Sequence, residues 1–139
     1  MYSRSIYETA LYLRLSKDDA DIDGGRKTES NSIGSQRDIL RAYVQSHDDL
    51  RIYDIYIDDG YSGANFERPE FERMMVDIRA GKVNCVLVKD LSRFGRDYIE
   101  AGRLIQKTFP ALNVRFIAVT DGFDSLYADG TDSSLILPI

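Results

Sequence analysis

Residues 83–88, Val83-Asn84-Cys85-Val86-Leu87-Val88, form a short, nearly continuous apolar run. A strand that alternates is wet on one face, whereas a run like this predicts a strand covered on both faces, as in a parallel sheet between helices. The flanks agree. Upstream, Pro69 to Arg79 reads as a helix, with Pro69 in its first turn and Phe71, Met74, Met75 and Ile78 on one face. Gly81 stops it. Downstream, Asp97 to Phe109 reads as a helix and Val114 to Val119 as another strand.

Further out the same alternation continues. Glu8 to Leu15 is apolar and β-prone, and Arg51 to Ile57 alternates as a strand does. Between them lie a polar loop rich in Asp and Gly, Lys17 to Asn31, and a helix over Ser32 to Ser46 capped by Ser32 or Asn31. Asp58-Asp59-Gly60 and Ser62-Gly63 mark a turn-rich loop. Strand–helix repetition predicts an α/β fold: a mainly parallel central sheet of about four to five strands flanked by helices.

The 139 residues suit a single domain over 1–139, and 43% hydrophobic with 29% charged residues is an ordinary globular balance. No apolar run reaches a membrane span and no signal peptide is visible, so a cytoplasmic location is expected. One cysteine, Cys85, and one histidine, His47, leave no basis for an intramolecular disulfide or a zinc site. Cys85 reads as core, and His47 as a residue of a helix end. The net charge of −5 argues against a simple DNA-coating protein. It leaves room for a local cationic cluster.

Such a cluster is expected where open α/β sheets bind ligands, beyond the carboxyl ends of the strands. Arg14 and Ser16 come at the end of the first strand, Arg68 lies across the loop from the second, and Lys89, Asp90, Ser92, Arg93 and Arg96 follow the third. Guanidinium groups around one hydroxyl suit a phosphate, with the serine as nucleophile. Plainer readings exist for each. Ser16 fits a loop or cap, and Arg68 a surface pair with Glu67 or Glu72. Arg93 and Arg96 fit solvated charges, and Gln36 a solvated helix face. Two rival chemistries are a phosphoacceptor domain using Asp58-Asp59 and a metal-dependent nuclease, which would need clustered carboxylates. A third is an oligomerisation module built on the apolar stretch from Leu135.

Tyr12-Leu13-Arg14-Leu15-Ser16 resembles the Tyr-x-Arg-x-Ser signature of the serine recombinases, the family of resolvases, invertases and serine integrases. Leu91-Ser92-Arg93-Phe94-Gly95-Arg96-Asp97 is similar to that family's second signature. Asp59-Gly60-Tyr61-Ser62-Gly63 with Phe66-Glu67-Arg68-Pro69 resembles the segment holding a third arginine, and Ser35-Gln36 fits its helix glutamine. The likeness runs from about Thr9 onward. The loop from Lys17 to Asn31 and the wording of residues 62–69 resemble the large integrases and transposases of mobile elements.

The resemblance implies a catalytic domain that recombines DNA with no cofactor and no metal. Ser16 would form a 5′-phosphoserine link, Arg14, Arg68, Arg93 and Arg96 would hold the phosphate, and Gln36 and Ser92 would support them. Many compact relatives have aspartate where this chain has Ser92, so an acid–base role there is not carried over. It further implies double-stranded DNA as partner, a dimer or tetramer of the full-length protein, and C-terminal DNA-binding domains and a dimer helix missing from this chain. On that basis the fragment alone is expected to be a monomer or weak dimer with little DNA affinity.

Overall fold

The computed structural model describes residues 6–15, 32–59, 68–91, 94 and 98–127, with the side chains of Leu15, Asp59 and Tyr98 left aside. The elements run β1 (Tyr7–Leu15), α1 (Ile33–Gln45), β2 (Leu50–Asp59), α2 (Pro69–Arg79), β3 (Cys85–Val88) and α3 (Tyr98–Arg103). A π-helical turn (Leu104–Thr108), α4 (Phe109–Ala111), β4 (Arg115–Ala118) and β5 (Phe123–Asp124) complete them. The sheet order is β2-β1-β3-β4-β5. The first four strands are mutually parallel, and β5 is antiparallel to β4. The expected mainly parallel sheet between helices is therefore present, with β5 as an added short edge strand.

Both faces of the sheet are covered, as the run at 83–88 requires. Cys85 to Val88 are all fully buried, although the strand itself begins only at Cys85. On one face Leu11, Leu13, Cys85, Leu87 and Ile117 pack with Leu40 and Val44 of α1. On the other, Ala10, Tyr12, Val86, Val88 and Phe116 pack with Phe71, Met74, Met75 and Ile78 of α2 and with Ala101, Ile105 and Phe109. A bulge in β2 lets Thr9 pair with Ile52 and Ala10 with Asp54. The extra residue is Tyr53. Without it Ile52 would face away from Ile55 and Ile57, because strand side chains alternate; with it all three pack toward α1.

Helix ends follow local chemistry. Ser32 caps α1 by accepting from Ser35 N–H at 3.0 Å. Gly81, at φ +80°, ends α2 as a left-handed residue, with Lys82 N–H donating to Asp77 O at 2.9 Å. Asn113, at φ +59°, ends α4 in the same way, and Val114 N–H donates to Phe109 O at 2.9 Å. The sequence predicts one helix from Asp97 to Phe109, but helical backbone continues past Pro110 to Ala111. Proline has no N–H to give the carbonyl four residues back and its ring crowds that carbonyl. The chain widens ahead of it into the π turn, where Phe109 N–H donates to Leu104 O.

The helix start that matters most is that of α2. Its capping residue is Arg68, which has no side-chain acceptor and makes no cap bond. Asp58, 3% exposed near the end of β2, supplies the cap from outside the helix. Its Oδ1 accepts from Glu70 N–H at 3.0 Å and its Oδ2 from Phe71 N–H at 2.9 Å. The same Oδ2 accepts from the buried Tyr12 hydroxyl at 2.8 Å. Asp58 is thus a strand residue committed to three bonds, not the turn residue the sequence suggests. At the opposite edge of the sheet, buried Arg115 donates to Asp124 at 2.6 Å and to Asp49 at 2.9 Å, tying β5 and the α1–β2 turn to β4.

Asp58→Ala removes a helix cap and leaves the Tyr12 hydroxyl without its carboxylate, so a loss of about 3 kcal/mol is expected. In thermal unfolding this corresponds to a drop of roughly 10 °C. Unchanged melting would show that the capping bonds contribute nothing.

Candidate active site

The described candidates meet at the carboxyl edge of the sheet. Arg14 lies near the end of β1, on the same face as Tyr12 because the two are two residues apart on a strand. Arg68 stands immediately before α2, where Asp58 and Pro69 fix the helix start. Tyr12 feels the charge of both. Its hydroxyl is held well above the ordinary tyrosine range, mainly by burial and then by the Asp58 charge, while Arg68 and Arg14 both pull it down. Two guanidinium charges therefore act on one buried hydroxyl. The tyrosine of the first signature is a strut for this edge, bonded to Asp58 and packed edge-on against Phe71 and Phe94.

Gln36 is not the solvated residue that its helical position allows. It is fully buried in the first turn of α1. Its Oε1 accepts from Arg14 N–H at 3.3 Å, and its Nε2 donates to Arg14 O at 3.2 Å. The registered pairs of β1 with β3 end at Leu11 and Leu87. Beyond that point the glutamine amide satisfies the backbone of Arg14 as a neighbouring strand would. This fixes the peptide that carries Arg14.

Arg68 is 7% exposed. Of the two partners the sequence offers, Glu67 lies outside the described residues, and the described ion pair is made not with Glu72 but with Glu100. Arg68 Nη1 donates to Phe94 O at 2.6 Å and its Nη2 to Glu100 Oε1 at 2.8 Å. Its guanidinium carbon sits 4.0 Å from the centre of the Phe71 ring. Burial of a charge is costly unless it is paired and hydrogen-bonded, and here it is both.

Phe94 anchors the second signature. It is fully buried, with ring centres 4.7 Å from Phe116, 5.5 Å from Phe109 and 5.7 Å from Phe71. The preceding turn is clamped by the loop after β4. Asp121 accepts from Leu91 N–H at 2.7 Å, and Thr120 donates to Lys89 O through its backbone at 2.8 Å. Ser16, Ser92, Arg93 and Arg96, all expected site residues, lie outside the described residues. So does the stretch from Leu135 that suggested an oligomerisation module.

Other reactive groups are accounted for elsewhere. Cys85 is fully buried, and burial pushes its thiol up to about 12, so it is no thiolate at neutral pH. His47 Nδ1 lies 2.7 Å from Tyr43 O and its ring stacks on Tyr43 at 4.0 Å. It follows the far end of α1, about 16 Å along the helix from Gln36. Among the described residues no group of three His, Cys, Asp or Glu side chains could hold a metal ion. Asp58, the best feature of a phosphoacceptor reading, has both carboxylate oxygens engaged by the fold.

Sequence reasoning located Arg14, Gln36 and Arg68 but missed Asp58, Phe94 and Glu100 as their supports. Phe94 had one signal, a lone aromatic among Arg, Gly and Ser. Glu100 had none beyond an acidic residue in a first helical turn, a common feature.

The chain is similar to known proteins over nearly its whole length. The family model described as the resolvase N-terminal domain matches residues 9–137. A resolvase family site-specific recombinase from Streptococcus pneumoniae shares 33% identity, with 93% of this chain and 83% of that one covered and a TM-score of 0.73. The N-terminal catalytic domain of TP901-1 integrase shares 30% identity over 89% of this chain and 86% of that one, at a TM-score of 0.71. The C-terminal catalytic domain of ISC1926 TnpA, an IS607-like serine recombinase, has the same fold at 20% identity. It is covered to 70%, against 81% of this chain, at a TM-score of 0.60. No curated protein matches. The chain belongs to the resolvase family and carries the catalytic domain of a serine recombinase, an enzyme of site-specific DNA recombination.

Proposed function

We propose that Ser16 is the nucleophile and that its Oγ attacks the phosphorus of a DNA phosphodiester. The Ser16 O–P bond forms as the bond to the 3′ oxygen breaks, and the proton lost by serine is balanced by the one gained by the leaving 3′-hydroxyl. The product is a 5′-phosphoserine link. Attack on it by a 3′-hydroxyl from another half-site reverses the step and reseals the DNA. The ester retains the bond energy, so no nucleotide cofactor is required, and the arginines supply the charge stabilisation that a metal would otherwise give.

Arg14, Arg68, Arg93 and Arg96 hold the phosphate oxygens and the leaving group, with Gln36 orienting Arg14 and Ser92 supporting the second signature. The observation that carries this reading is that Arg14, held by Gln36, and the buried Arg68, held by Phe94 O and Glu100, stand at the carboxyl edge of a serine-recombinase fold. Phosphoryl transfer needs mostly positioning and charge stabilisation, which fixed guanidinium groups supply. An arginine beside the serine stabilises its alkoxide. The engaged and distant His47 supports that assignment over a histidine base.

The family works on DNA as an oligomer. For this chain we propose a cytoplasmic enzyme, tetrameric on paired double-stranded sites, of the mobile-element integrase or transposase kind, with residues 1–139 as one catalytic domain. The net charge of −5 supports site recognition by separate, C-terminal domains. The isolated chain would be a monomer or weak dimer. Among the described residues no helix is long and apolar enough to cross a membrane.

In the full-length protein, Ser16→Ala should fold normally and form no covalent DNA complex; a variant that still cleaves removes Ser16 from the role. Arg68→Ala and Arg96→Ala should keep site binding and lose cleavage by about a hundred- to a thousandfold. Weakened binding with intact chemistry would make them docking residues instead. Gln36→Leu leaves the Arg14 peptide without its amide partner. Faster hydrogen exchange at Arg14 N–H and slower cleavage are expected, and an unchanged exchange rate would refute the orienting role.

A further inference from the structure

The structure assigns Glu100 as a positioning residue for Arg68. Glu100 is in the first turn of α3, the helix that follows the second signature, whereas Arg68 precedes α2. The bond between Arg68 Nη2 and Glu100 Oε1 at 2.8 Å joins these two segments. Both side chains are largely covered, at 8% and 23% exposed, so the pair is neither fully screened nor free to wander as a surface ion pair is.

Glu100 completes a three-point mount. Phe71 lies under the guanidinium plane, Phe94 O takes one Nη1 hydrogen, and Glu100 takes one Nη2 hydrogen. A contact beneath the plane and a single in-plane bond would leave the group able to turn about that bond. A second in-plane bond, to the other terminal nitrogen, removes the rotation. A guanidinium has five N–H donors. Among the described residues two are used in this way, so the mount leaves donors on the same planar group to address a phosphate. The carboxylate also compensates a charge that would otherwise sit buried and unpaired. Glu100 itself touches no reacting atom in this assignment; it acts through Arg68.

The inference rests on the reading of Arg68 as a phosphate-binding residue. The two are separated by measuring, in the full-length protein on DNA bearing its recombination site, site affinity and the rate of covalent complex formation independently. Glu100→Ala should slow complex formation by about a hundredfold, the scale of a small misplacement of a catalytic group, with site affinity unchanged. Glu100→Gln, which keeps the length and an acceptor oxygen, should recover most of that rate. Glu100→Asp keeps the charge but withdraws it by one methylene, and should recover less. The double variant Glu100→Ala/Arg68→Ala should be no slower than Arg68→Ala alone, since the positioning role is expressed through the arginine.

Three results overturn the assignment. These are a wild-type rate for Glu100→Ala, a faster Glu100→Asp than Glu100→Gln, or additive slowing in the double variant. If Arg68→Ala itself forms the complex at the wild-type rate, the reading of Arg68 has failed, whatever the Glu100 variants do. Because Glu100→Gln and Glu100→Asp each keep a hydrogen-bond acceptor at the buried arginine, their order decides the matter even if Glu100→Ala melts early.

Discussion

One carboxylate holds the catalytic edge together. Asp58 projects from β2 and takes the free amides at the start of α2 with both oxygens, while the Tyr12 hydroxyl from β1 reaches the same group. Two strands and a helix are joined at one point. Arg68 stands directly before that helix, so its backbone is placed by Asp58 and not by any cap of its own. Tyr12 in turn packs against Phe71 and Phe94, which touch Arg68 from below and beside. The position of a buried cation thus follows from a buried anion one strand away.

That arrangement also explains how an acidic domain serves a polyanion. The net charge is −5, yet local charge at the sheet edge is set by where arginines are held. Arg68 is held nearly dry by a carbonyl, an aromatic face and a carboxylate. Arg14 is placed by an amide that satisfies its own peptide, leaving the guanidinium out of that task. Backbone anchoring of this kind suits a site that must stabilise a transition state, since donors fixed beforehand need no reorganisation as the reaction proceeds.

Much of the fold was legible because its signals are local. The apolar run at 83–88 marked the buried central strand, and Pro69 and Gly81 bracketed α2 to the residue. The unread parts depend on contacts made across the chain. The strand at Phe123–Asp124 is two residues long and is held by Arg115, which no periodicity announces. The π turn depends on how a helix passes Pro110. Arg14 and Arg68 were found because strand order brings them to one edge, and Gln36 only through the resemblance to the family's helix glutamine. Asp58 read as a turn because Asp-Asp-Gly follows turn chemistry, whereas its burial comes from Tyr12 and α2, 46 and about a dozen residues away in sequence. Glu100 was silent for the same reason: its partner is 32 residues distant.

The most direct test uses the full-length protein on a candidate recombination site, in the presence of chelator, stopped during the reaction with denaturant. Protein joined to a DNA 5′ end would be isolated and its attachment point mapped by mass spectrometry. A phosphate ester on Ser16 is the result this account requires. No adduct, with cleavage appearing only on addition of magnesium, would contradict it and make the arginine cluster a surface for holding DNA.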